Sequence, residues 1–162
     1  MDRAIAQASS SRPPREPGVS PPDMVWGAGA PAVVVVEHRD RVSRGYGHLF
    51  EYLGVRLECV RSAMELEAVM RIEQPMAVIW DLAGGSVDSG QLLAKVAEYD
   101  PDLALLIVAD DNPPALRLIE AMVEILGLTA VRKLFCRPEL HDIVEFLFQA
   151  GRKSGGFRVL SV

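Results

Sequence analysis

The chain is poor in the groups on which most catalysis and cross-linking rely: 162 residues include two cysteines, three histidines and a single threonine, Thr129. Two cysteines do not make a disulfide framework. Cys59 and Cys136, expected on strands at opposite edges of one sheet, cannot meet, and they read as buried thiols in a reducing cytoplasm. No Cys/His or Ser/His arrangement accompanies the lone His38, which argues against an enzyme. Positive charge is not in excess either. The formal net charge is -5, and the first thirty residues balance Arg3, Arg12 and Arg15 against Asp2, Glu16 and Asp23, so the excess acid lies in the remainder. An acidic domain without a basic stripe is a poor match for a nucleic-acid backbone. No stretch approaches the roughly 20 apolar residues that span a bilayer, and the amino terminus lacks the apolar core of a secretory signal. These absences point to a cytoplasmic protein that acts by binding.

What is present is a soluble globular composition, 49% hydrophobic and 24% charged. Its organising stretch is Met76-Ala77-Val78-Ile79-Trp80-Asp81-Leu82-Ala83-Gly84-Gly85. An apolar run too short for a typical helix delivers one carboxylate, Asp81, and then breaks into glycines, as a buried parallel strand does when it presents an acid at its carboxyl end. A second run, Ala32 to Val36, ends in Glu37-His38-Arg39-Asp40. Two strand ends thus bring acids to one rim, where open α/β sheets bind their ligands.

Residues 1–30, rich in Ser, Pro, Ala and Gly and without an apolar period, read as a flexible tail in which Trp26 is the one residue able to dock. From residue 31 to residue 150, short apolar runs alternate with amphipathic segments. Asp40 is the expected cap of a helix carrying Val42, Tyr46, Leu49, Phe50 and Leu53, which Gly54 stops. A strand over residues 55–60 follows. Ser62 with Glu65 forms a capping box for a helix on Leu66, Val69 and Met70, and Pro75 ends it. Asp88 or Ser89 caps a helix through Leu92, Leu93 and Val96. Then come a strand from Leu103 to Ala109, a helix opened by Pro113-Pro114, a strand from Ala130 to Cys136, and a last helix starting near Pro138 and closed by Gly151. Five strands alternating with five helices predict a doubly wound parallel sheet with helices on both faces, in the flavodoxin-like order 2-1-3-4-5. The switch point then lies between the strands ending at Glu37 and Asp81. Residues 151–162 form a basic, glycine-jointed tail whose alternating end could add to a sheet edge or a partner groove.

With the acidic turn at Glu37, the strand into Asp81 followed by Val87-Asp88, and the final strand ending in Arg137-Pro138, the segment Ala32 to Ala150 resembles the receiver domain of two-component response regulators. The resemblance implies that Asp81 takes a phosphoryl group from a kinase histidine, with Mg²⁺ held by carboxylates, Glu37 and Asp81 among them, and a basic residue, here Arg137, pairing with the phosphoryl group. It further implies a histidine kinase or histidine phosphotransfer protein as partner, and a homodimer through the last strand and its flanking helices.

Several positions depart from that pattern. His38 stands where a second acid belongs, and an imidazole is a poorer Mg²⁺ ligand than a carboxylate. Ala109 replaces the switch hydroxyl, Leu134 the switch aromatic, Gly85 a common proline, and Arg137 the usual lysine, with a different shape and reach. Two readings follow. In one, a stand-alone receiver works in a phosphorelay and Asp81 is the phosphoacceptor. In the other, a pseudo-receiver serves as a phosphorylation-independent protein-interaction module, in which Arg137 pairs permanently with Asp81 or Asp110.

Overall fold

The computed structural model describes residues 24–26, 30–83, 88–109, 113–154 and 157–159. Gly84, Gly85, Ser86, Val87, Asp110 to Asn112, most of the amino-terminal tail, and residues 155–156 and 160–162 lie outside these residues. Strands β2 (Ala32–Val36), β3 (Arg56–Val60), β4 (Ala77–Asp81), β5 (Ala104–Val108) and β6 (Val131–Leu134) pair in parallel in the order β3-β2-β4-β5-β6. Counted from Ala32, this is the expected 2-1-3-4-5. The crossovers are α1 (Arg41–Tyr52), α2 (Ala63–Glu73), α3 (Ser89–Tyr99), α4 (Pro113–Ile125) and α5 (Leu140–Lys153).

Strand alternation distributes the core. Val33, Val35, Ala77, Ile79, Leu106 and Val108 meet Val42, Tyr46 and Phe50 of α1 and Ile143, Phe146 and Leu147 of α5. Their neighbours Val34, Val36, Val78, Trp80, Leu105 and Ile107 turn to the other face, against Leu66 and Met70 of α2, Leu92, Leu93 and Val96 of α3, and Ile119 of α4. Both faces being covered, β2, β4 and β5 are buried at every position, which is why they read as unbroken apolar runs.

Several capping expectations hold. Ser62 accepts the N–H of Glu65, and Asp88 accepts that of Gln91. Gly54 and Gly127 adopt positive φ where α1 and α4 end. The α2 terminus instead uses Gln74, exposed and left-handed at φ 46, ahead of Pro75. Because a Cβ is penalised in that conformation, Gln74→Gly is expected to stabilise the fold by about 0.5 kcal/mol, read as a higher urea midpoint at unchanged slope.

The structure corrects five sequence expectations. Two short strands in the presumed tails, β1 (Met24–Trp26) and β7 (Phe157–Val159), pair antiparallel with each other. The last helix runs past Gly151 to Lys153, and the last strand of the main sheet ends at Leu134 rather than Cys136. Cys59 and Cys136 are both exposed, since β3 is an edge strand and Cys136 falls after β6. Asp40 does not cap α1: its own backbone is left-handed, at φ 52, and its side chain makes no capping hydrogen bond.

Candidate functional site

Register places the two acids side by side. Val36 pairs with Trp80, so the next residues of β2 and β4 are Glu37 and Asp81. Both share the strand parity that faces α1 and α5, and both are buried, at 1% and 3% exposure. Among the described residues they are the buried charged groups, and each of their oxygens has a hydrogen-bond partner.

Glu37 does the work expected of Asp40. Its Oε2 accepts the N–H of Val42 at 2.8 Å and its Oε1 that of Ser43 at 3.2 Å, satisfying two of the free donors in the first turn of α1. A carboxylate there also complements the positive end of the helix dipole. Asp40 points outward and pairs with Arg61 at 3.2 Å and Arg44 at 3.8 Å.

Asp81 is held by Arg41, the first residue of α1. The guanidinium binds both carboxylate oxygens, Nε to Oδ2 at 3.0 Å and Nη2 to Oδ1 at 2.8 Å. Oδ1 also accepts the N–H of Ala83, closing a local turn. Arg41 is the residue that the sequence reading missed. A signal was available: a cation in a first turn that contains no acid opposes the helix dipole, and such a departure calls for a nearby carboxylate.

Arg137 is exposed and forms no ion pair with any described residue; the expected bond to Asp81 belongs to Arg41 instead, and Asp110 lies outside the described residues. The Arg137 side chain passes over Gly45, where a Cβ would lie 3.7 Å from Nη2. With Arg41, Val42, Tyr46, Asp81, Val108 and Pro138 it lines a cleft of about 10 Å³, room for one water. Tyr46 closes the floor by donating its hydroxyl to the Pro138 carbonyl. Ala109 is buried at the end of β5 and offers no hydroxyl, and Leu134 is half-buried at the end of β6. His38 is half-buried, and its Nε2 has no partner among the described residues. Cys59 is exposed as a residue but stands near this turn, where partial desolvation of its thiol raises its pKa, the Glu37 carboxylate raises it further, and the Ser43 hydroxyl works in the other direction. A larger cavity, about 380 Å³, opens at the amino end of the strands between Pro75, Tyr99, Leu103 and Lys153, away from these acids.

No protein-family model and no curated protein matches the chain. Solved structures do. A response regulator receiver domain protein from Clostridium thermocellum superposes with a TM-score of 0.60 at 16% identity, over 77% of this chain and 97% of its own. A CheY-like receiver from Methanospirillum hungatei gives 0.58 at 16%, over 77% and 99%. The chain has the receiver-domain fold. A third structure with this fold, the receiver domain of a sensor histidine kinase from Pseudomonas aeruginosa, carries a magnesium ion in its active-site cleft (TM-score 0.55, 12% identity, 78% and 99% covered).

The corresponding rim here does not fit such an ion. Among the described residues no three His, Cys, Asp or Glu side chains are grouped to hold a metal. The oxygens of Glu37 are taken by backbone N–H groups and those of Asp81 by Arg41. Among the described residues, the acids expected to hold Mg²⁺, Glu37 and Asp81, with His38 beside them, are engaged as a helix cap and as the partner of Arg41.

Proposed function

We infer that this receiver-fold domain acts by binding protein partners, with Asp81 serving as a structural carboxylate rather than as a phosphoacceptor. The observation that carries this reading is the bidentate bond from Arg41, which covers both oxygens of the only acid at the end of the central strand β4. An in-line phosphoryl transfer needs one of those oxygens free as nucleophile and a cation to neutralise the incoming group. The first condition is not met while the pair stands, and among the described residues no group is arranged to hold a divalent cation for the second. The alanine at position 109 and the leucine at 134 support the same reading, since neither can respond to a phosphoryl group.

The fold suits a place in two-component signalling, and the partner class it favours is a histidine kinase or a histidine phosphotransfer protein. A net charge of -5 favours protein over nucleic acid. Leu118 and Ile125 on α4, Phe135 after β6 and Leu140 at the start of α5 are exposed, at 58%, 81%, 67% and 58%. They favour that side of the molecule for docking, including to a second copy through β6 and its flanking helices.

The phosphorelay reading keeps one observation in its favour: Arg137 lines the same cleft as Asp81 and has no described carboxylate to pair with. Intact mass after incubation with Mg²⁺ and a small-molecule phosphodonor separates the two. The expected result is an unchanged mass under conditions that label an ordinary receiver. A gain of one phosphoryl group by the wild type and not by Asp81→Asn would establish Asp81 as a phosphoacceptor and overturn the structural role.

A further inference from the structure

The mismatch between this rim and a divalent cation has a specific cause in the chain's own charges. Glu37 and Asp81 are the described acids buried there, and Arg41 and Arg137 line the cleft beside them, so among the described residues the formal charges of these two acids and two cations cancel before any ion arrives. A divalent cation would have to displace a guanidinium that makes two good hydrogen bonds, and then lie next to its charge. Arg41 also sits at the first position of α1, the end of a helix where a cation is least welcome. Its attachment to Asp81, 40 residues away, offsets that disadvantage and ties α1 to β4.

We propose that Arg41 is the resident cation of this rim. Its guanidinium takes the place of a divalent ion, neutralises Asp81 permanently, and makes the domain indifferent to Mg²⁺. The proposal rests on the reading of Asp81 as a structural carboxylate and extends it: without the Arg41 charge, Asp81 becomes an anionic site that a divalent ion can occupy and stabilise. Ligand binding to the folded state alone raises apparent stability by mass action, so a site created in this way is visible as a thermal shift.

The test is thermal unfolding of the full chain in millimolar MgCl₂, against NaCl of equal ionic strength with a chelator, for wild type, Arg41→Ala, Arg41→Gln and Arg41→Ala/Asp81→Asn. The glutamine variant keeps a hydrogen-bond donor beside Asp81 and serves if the alanine variant does not fold. Wild type is expected to show no Mg²⁺-specific shift. Arg41→Ala and Arg41→Gln are expected to melt lower and to regain about 3 °C or more in Mg²⁺. The double variant, with no charge to bind, is expected not to respond. A wild type stabilised by Mg²⁺ as much as the single variants, or single variants that ignore Mg²⁺, would overturn the proposal. Mg²⁺-insensitive single variants leave the structural role of Asp81 standing, whereas phosphoryl labelling of the wild type removes that role directly.

Discussion

Arg41→Ala is expected to lower the unfolding free energy by about 3 kcal/mol, the scale on which removing one partner of a buried ion pair is felt. The magnitude follows from an asymmetry in burial. The Asp81 side chain is 1% exposed and that of Arg41 39%, so the arginine keeps part of its hydration within the pair, while the buried aspartate depends on it. Solvent access to the guanidinium keeps the value at the low end of the range for buried pairs. Only the Ala83 N–H would remain to Asp81 among its described hydrogen bonds. Urea denaturation monitored by circular dichroism measures the loss, and a shift in midpoint at constant slope marks it as a stability change in the folded state. Arg41→Lys is expected to recover only part of the loss, because an ammonium group cannot repeat the two parallel bonds.

Glu37→Ala is expected to cost roughly 2 kcal/mol, since two N–H groups at the start of α1 lose their acceptor and the helix loses its N-terminal anion. Glu37→Gln, which keeps one acceptor oxygen and no charge, should lie about halfway. The contrast that identifies Glu37 as the cap is Asp40→Asn. Asp40 makes surface ion pairs and no capping bond, so this change is expected to stay within about 0.5 kcal/mol of wild type. If Asp40→Asn were as damaging as Glu37→Ala, the assignment of the cap to Glu37 would be wrong.

Why the fold was legible and part of the site was not follows from the range of the interactions involved. Val33 to Val36 and Val78 to Trp80 declare buried strands because each face of the sheet is covered, and the residues after them identify the rim. Capping by Ser62 and Asp88 is local, three residues in each case, and is written in the sequence as such. Asp40 has the residue type of a cap, but its backbone is left-handed and its side chain pairs with Arg61 and Arg44 instead of the helix end. Glu37 then reaches over the turn to do the same task from the strand end.

The pairing of Arg41 with Asp81 joins residues 40 apart and depends on α1 packing over β4, which periodicity alone does not convey. The helix-dipole conflict at Arg41 flagged a partner without naming it. The exposed cysteines are a matter of edges: Cys59 lies on β3, open on one side, and Cys136 lies beyond the end of β6. The alternating run at the carboxyl end suggested a strand, but its antiparallel partner, Met24–Trp26, is near the other end of the chain and carries no comparable signal.

The most direct measurement is a double-mutant cycle on the pair itself, with urea unfolding of wild type, Arg41→Ala, Asp81→Asn and the double variant. The account predicts a coupling energy of about 2 kcal/mol, with the double variant more stable than the sum of the single losses allows. Losses that add within about 0.5 kcal/mol would show that Arg41 and Asp81 do not hold each other, and would contradict the closed rim on which the functional reading depends.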